Sequence, residues 1–194
     1  MPRLPATERR EQLIRTAATV FARHGYDGAT TAAIAAAAGI TEPVLYRHFE
    51  SKQALFAAIV GELLDKLSQR WQAVATAGTD AVQQLRLAAA EYGRAITDLP
   101  DFYRVLNGAI LTSQDHAVQQ LIQDYYRKTE QHLSSLIERG QQQGVFRDDI
   151  GAQELAWTMI DMGIGYAVQE TSLAPGRLRP AIFLESVLSM LRLN

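Results

Sequence analysis

Residues 30–52 read TTAAIAAAAGITEPVLYRHFESK. A threonine pair opens an alanine-rich run, Gly39 interrupts it, and Thr41 with Pro43 restarts it. The pattern predicts two short helices joined by a tight turn. Thr30 and Thr31 are favourable N-caps, and glycine accepts the backbone a turn demands. Proline is tolerated in a first helical turn, where its missing N–H would have no partner. Ile34, Ala35 and Ala38 mark the buried side of the first helix; Leu45 and Phe49, four apart, anchor the second. That leaves Thr41, Tyr46, Arg47 and His48 on one edge, with Lys52 a turn into the next helix. Hydroxyls, a guanidinium, an imidazole and an ammonium on one surface suit a polyanion. A helix-turn-helix that lays its second helix in the DNA major groove needs this layout.

Outward from this stretch, nearly every segment carries a helical period and none alternates as a strand. An apolar stripe of Ile14, Ala17, Ala18 and Phe21 predicts a first helix over about 7–24, stopped by Gly25. Ser51 caps a long helix expected to run to about 77. Further helices are expected over about 80–98, 101–112, from about 118 to a stop at Gly144, 151–170 and 179–193. The fold class is therefore all-α, with about nine helices: a three-helix head over 1–52 and a helical body over 53–194.

Composition excludes several classes. At 47% hydrophobic residues the chain can bury a core. It has no cysteine, so disulfides and thiolate metal sites are absent. Its four histidines follow no metal-ligand spacing. No catalytic pair or glycine-rich phosphate loop stands out, so an enzyme is not expected, nor a cofactor or metal. No apolar run approaches the roughly 20 residues of a membrane span, and the first residues lack a signal-peptide core; a soluble cytoplasmic protein is expected. Net charge is −2. Up to Leu55 there are seven Lys/Arg, Arg3 among them, against five acids. The remainder holds 12 bases and 16 acids. A mildly cationic head on an anionic body fits DNA contact at one end.

The chain resembles the TetR family of bacterial transcriptional regulators. The motifs are Ala17-Ala18-x-x-Phe21-Ala22-x-x-Gly25-Tyr26, Thr30-Thr31, Ile34-Ala35, Ala38-Gly39-Ile40-Thr41 and Leu45-Tyr46-x-His48-Phe49-x-Ser51-Lys52-x-x-Leu55. They cover about the first quarter; the rest matches only in the number, order and length of helices. The resemblance implies a homodimer on a palindromic operator, usually a repressor, whose body holds a small effector and releases DNA when filled. It places DNA contacts on Thr31, on Glu42, Pro43, Val44, Tyr46, Arg47 and His48, and on Lys52. Thr31 either caps its own helix or bonds a phosphate. Tyr46, His48 and Lys52 are expected at phosphates, which set register without reading sequence. Arg47 matches guanine O6 and N7, or clamps a phosphate. Thr41, Pro43 and Val44 offer apolar contact to thymine methyls. Glu42 either accepts from cytosine N4 or favours its helix N-terminus, and the dipole argument prefers the latter. Two departures stand out: Pro43 where many members have a small residue, and Ala32-Ala33 where a basic or polar residue is common.

In the body, Trp71, Phe102, Tyr103, Leu106, Tyr125, Tyr126, Thr129, Met159, Met162 and Tyr166 are candidate effector-binding residues. Plain core packing is the competing reading. An apolar or aromatic effector is expected. The small residues Ala156, Gly163 and Ala167, with Leu184, Val187, Leu188 and Leu191 on an apolar last helix, predict a dimer seam. Packing within one subunit is the alternative. Two rival functions remain: a DNA-binding dimer without an effector, and an all-helical small-molecule-binding protein or enzyme.

Overall fold

In the computed structural model, which describes residues 6–75, 80–177 and 179–192, every regular element is helical. In chain order these are α1 (Ala6–Gly28), α2 (Thr31–Ala37), α3 (Glu42–Tyr46), α4 (Lys52–Ala75), α5 (Ala81–Asp98), α6 (Pro100–Thr112), α7 (His116–Gln142), α8 (Ala152–Val168), a π-helical turn (Gln169–Leu173) and α9 (Pro180–Leu191). Arg3 and the expected helix ends at 77 and 193 lie outside the described residues.

Helix boundaries follow local chemistry. Thr30 is the N-cap of α2, its hydroxyl accepting from the Ala33 N–H at 3.1 Å. Ser51 caps α4 through the Ala54 N–H (3.0 Å) and Asp80 caps α5 through the Gln83 N–H (2.8 Å). Gly39, at φ 66°, ends α2: its N–H donates to the Ala36 carbonyl and that of Ile40 to the Ala35 carbonyl. This paired closure needs a left-handed residue. Gly144, at φ 67°, closes α7 in the same way.

The chain divides into two compact units. One gathers the described residues up to Leu64 with Asp101–Leu121; the other gathers Asp65–Pro100 with the described residues from Ile122 on. In the first, α2 packs on α1 and on α3. Leu13, Ile14, Ala17, Ala18 and Phe21 of α1 are buried, as are Ile34, Ala35, Leu45 and Phe49. Burying one such large side chain contributes roughly 1.5–3 kcal/mol. At Gly25 (φ 69°, ψ 177°) α1 breaks rather than ends. The turn beyond it lays Tyr26 parallel to Phe21, with ring centres 6.0 Å apart, and edge-on to Phe56 at 5.0 Å. Phe102, Tyr103 and Leu106 of α6 are buried here too, and the Thr19 hydroxyl of α1 donates to Asp101 at 2.8 Å.

In the second unit, α5 packs on α9 and α8 on α9. Its core joins Leu85, Leu133, Leu136, Ile137, Phe146, Leu155, Ala156, Ile160, Leu188 and Leu191. Phe146 is seated against Gly140, where an added Cβ would lie 2.0 Å from a ring carbon. After Val168 the backbone widens into the π turn, with Thr171 donating to the Ala167 carbonyl at 2.8 Å. The sequence pattern carried no sign of this widening.

Candidate nucleic-acid interface

The α2–turn–α3 unit brings its polar groups together. Thr31, the first residue of α2, donates from Oγ1 to Glu42 Oε1 at 2.5 Å, and the Tyr46 hydroxyl donates to Thr31 Oγ1 at 3.4 Å. Capping of α2 belongs to Thr30, so the Thr31 hydroxyl ties the start of one helix to the start of the next. Glu42 lies in the first turn of α3 and is half-buried. Its carboxylate both holds Thr31 and sits at a helix N-terminus, where negative charge is favoured. Thr41 occupies the N-cap position of α3 in extended backbone (φ −95°, ψ 155°), yet its hydroxyl makes no capping bond; Pro43 supplies the preset first turn.

Outward of this network stand the exposed side chains. Tyr46 is 48% exposed. Thr41, Pro43 and Arg47 are exposed, and Val44 and His48 half-exposed. Arg47 caps the C-terminal end of α3 and makes no ion pair with any described residue. Lys52 is placed differently from a lysine simply extended into solvent. Its Nζ lies 4.5 Å from the centre of the Tyr26 ring, a cation–π contact that fixes where the charge sits. The Arg10 guanidinium lies similarly 5.1 Å from the Phe49 ring centre, on the side chain that anchors the end of the reading segment. Arg10 escaped the sequence reading of the interface because nothing in the spacing ties it to Phe49, 39 positions away.

The body residues separate on inspection. Trp71, Tyr125 and Thr129 line a cleft of about 220 Å³ with Ser68, Gln72, Lys128 and His132. Tyr126 touches Tyr125 edge-on at 5.2 Å, and His132 meets Trp71 edge-on at 6.0 Å. Burial pushes the Tyr125 phenol up to about 12, against opposing hydrogen bonds to Trp71 and Thr129; burial likewise raises that of Tyr126. His132 is held below its ordinary value, first by burial and then by the Arg139 guanidinium. Lys128 was missed as a cleft residue, whereas His132, on or beside the apolar stripe of α7, reads from the sequence as a satisfied core histidine or as a group that orients a ligand; only α4 opposite makes both of them walls. Met159 is half-buried against the second unit's core, as is Tyr126; Met162 is half-buried. Tyr166 is buried and stacked on Phe183 at 4.5 Å. None of these four lines the cleft. Phe102, Tyr103 and Leu106 are buried, lie in the first unit and are not among the residues that line this cleft.

The small-residue seam needs correction. Ala156, Gly163, Ala167, Val187, Leu188 and Leu191 are all buried within the subunit, leaving no surface for a second chain. Gly163 is small because Tyr92 of α5 lies against it, donating from its hydroxyl to the Gly163 carbonyl at 2.8 Å. Leu184 is half-buried against the same core. The open faces of these helices carry other residues, among them Trp157, 43% exposed, and Ile182, 45% exposed.

Residues 13–59 match the model of bacterial regulatory proteins of the tetR family, and residues 82–175 match that of the tetracyclin repressor-like C-terminal domain. The chain belongs to the TetR family.

Among its relatives, the transcriptional activator FasR of Mycolicibacterium smegmatis is 38% identical over 104 residues, which is 54% of this chain and 48% of FasR. The nucleoid occlusion factor SlmA of Shewanella pealeana is 30% identical over 139 residues, 69% of this chain and 68% of SlmA. The chain thus spans about half the length of the first relative and two thirds of the second. Solved TetR-like folds superpose closely. The ketosteroid transcriptional regulator KstR2 of Mycobacterium tuberculosis gives a TM-score of 0.83 at 21% identity, covering 98% of each chain. AibR in complex with isovaleryl coenzyme A and operator DNA gives 0.80 at 21% identity, covering 95% of this chain and 98% of AibR. At such identity these likenesses speak to the fold. As a TetR-family member the protein is a DNA-binding transcriptional regulator and not an enzyme. Among the described residues, no helix is long and apolar enough to cross a membrane.

Proposed function

We propose that this TetR-family regulator acts as a homodimeric repressor on a palindromic operator and that a small molecule seated in the body releases it. The observation that carries the reading is the outward side of α3. Arg47 is exposed there with no ion-pair partner among the described residues, next to the half-exposed Tyr46 hydroxyl. A free guanidinium in this position suits guanine O6 and N7. Tyr46, His48 and Lys52 suit phosphates, and Thr31 joins them once its hydroxyl turns from Glu42 to a phosphate oxygen. Thr41, Pro43 and Val44 present apolar atoms to thymine methyls.

Two-fold pairing through the open faces of α8 and α9 is supported by Trp157 and Ile182, large apolar side chains left exposed on adjacent helices. A two-fold protein matches a palindrome when its reading helices are spaced by roughly 34–36 Å, one DNA turn. The cleft walled by Trp71 and Tyr125 is the effector site in this reading. Occupancy shifts DNA affinity only as far as the ligand prefers the spacing that does not fit DNA.

A second reading keeps the DNA-binding dimer and drops the effector. It is favoured by the 30% identity to a nucleoid occlusion factor. Selecting bound DNA from a random pool and challenging the complex with a metabolite panel separates the two. An inverted repeat released by one compound class supports the first reading; an inverted repeat released by none supports the second.

A further inference from the structure

The cleft between α4 and α7 has a chemical character that its aromatic walls alone do not convey. No carboxylate lines it. Its charged wall residue is Lys128, exposed and without an ion-pair partner among the described residues. His132 stands at one side with its ring against Trp71, and Arg139 is near enough to His132 to disfavour a second positive charge there. Gln72 adds an amide, and the Thr129 hydroxyl is already donating to the Tyr125 carbonyl at 3.0 Å. The polar side therefore offers N–H donors beside the Lys128 ammonium, and the apolar side offers an indole and a phenol ring.

Size narrows the occupant. A cavity of about 150 Å³ accommodates benzene, so about 220 Å³ holds one ring and a short substituent. A cationic ring compound would meet Trp71 favourably, but Lys128 opposes it. A neutral one leaves the ammonium unanswered. We infer that this cleft binds a monocyclic aromatic monocarboxylate, its ring against Trp71 and Tyr125 and its carboxylate on Lys128 and His132. The inference rests on reading this cleft as the effector site, and it replaces a merely apolar effector with an acid.

Calorimetric titration of the full chain with benzoate, phenylacetate, benzamide and benzylamine tests it. The acids are expected to bind saturably, about tenfold tighter than benzamide, since a hydrogen-bonded charge contact in a half-covered site is of that order; benzylamine is expected to give no saturable heat. Lys128→Met, at an exposed position the fold does not need, should bring benzoate down to the benzamide level and leave benzamide unchanged. Trp71→Phe should weaken both. Equal binding of benzylamine, an acid preference that survives Lys128→Met, or absence of saturable binding by either acid overturns the inference. Operator release is measured separately. Benzoate that binds selectively yet leaves the operator bound contradicts the effector reading alone. Release of the operator by another compound, with neither acid binding, contradicts the anion inference alone.

Discussion

The hydroxyl of Thr31 lies 2.5 Å from a carboxylate oxygen of Glu42, so the first residues of the two helices of the reading unit are bonded to each other. A phosphate oxygen would offer Thr31 the same acceptor chemistry. In the free protein the carboxylate occupies that role. If this face meets DNA as proposed above, Glu42 ties the start of α2 to the start of α3 while its negative charge opposes DNA of any sequence.

Glu42→Ala is expected to tighten binding to random-sequence DNA and to narrow the gap between specific and non-specific sites. The lost bond should lower stability by about 0.5–1.5 kcal/mol. Glu42→Gln, which keeps an acceptor for Thr31, should recover most of the stability and little of the discrimination. Urea denaturation paired with competition binding against random DNA checks both halves.

Arg47 and Lys52 should separate cleanly. Arg47→Ala is expected to cost about 1–3 kcal/mol at the base it reads and to relax preference there. Lys52→Ala should weaken all sequences alike and reduce the slope of log affinity against log salt by about one. Lys52 also gives up its contact with the Tyr26 ring, so a small loss of thermal stability accompanies the second variant and not the first. Selection from a random pool with each variant, plus a salt series, measures this.

Gly140→Ala should destabilise the second unit. The new methyl would meet the buried Phe146 ring at 2.0 Å, and a ring wedged into a packed core cannot yield without displacing its neighbours; overpacking of this kind costs typically about 1–3 kcal/mol. Gly144→Ala, at φ 67° with open space around it, should cost less and for a different reason, the left-handed backbone. Denaturation midpoints of the two variants give the ranking.

The histidine in the cleft sets a pH dependence. Folding lowers the His132 pKa from its ordinary 6.5, so between the two values the unfolded chain holds more protons. Its contribution to stability is complete above about 6.5 and declines as pH falls through the folded value. Asp115 and Asp149, whose carboxyls are held low chiefly by Gln53 and by Arg147, act in a separate window below the ordinary carboxylate value of 3.8. His132→Gln should remove the decline just below neutrality and leave the acid one. Protonation also adds positive charge beside Lys128 and Arg139 of α7, while Ser68, Trp71 and Gln72 of α4 bring no charge to the cleft. Benzoate should therefore bind more tightly as pH drops through the same window.

What could be read from the chain alone follows how local each interaction is. Caps and stops are decided within a few residues, so Thr30, Ser51, Gly39 and Gly144 were legible and sit where expected. The all-α class followed from the same periodicity. Pairings between distant positions were not legible. Thr31 and Glu42 are 11 apart, and their bond depends on the angle between two helices. Trp71 and Tyr125 are 54 apart, and nothing in either segment shows that they wall one cleft. Periodicity reported that the Ala156, Gly163 and Ala167 side of α8 is buried, but not by what. Tyr92 fills against Gly163 the role that a partner chain had been expected to take.

The central claim is that two copies of the segment from Thr41 to His48 enter successive major grooves of one duplex. Hydroxyl-radical footprinting on the selected operator, with the same protein run in analytical ultracentrifugation, tests it most directly. The account predicts a dimer and two protected patches on one side of the duplex, about 10 base pairs apart. It also predicts that Trp157→Asp with Ile182→Asp yields a folded monomer that protects neither patch at the same concentration. A wild-type monomer protecting a single patch, or no protection even at low ionic strength, would contradict it.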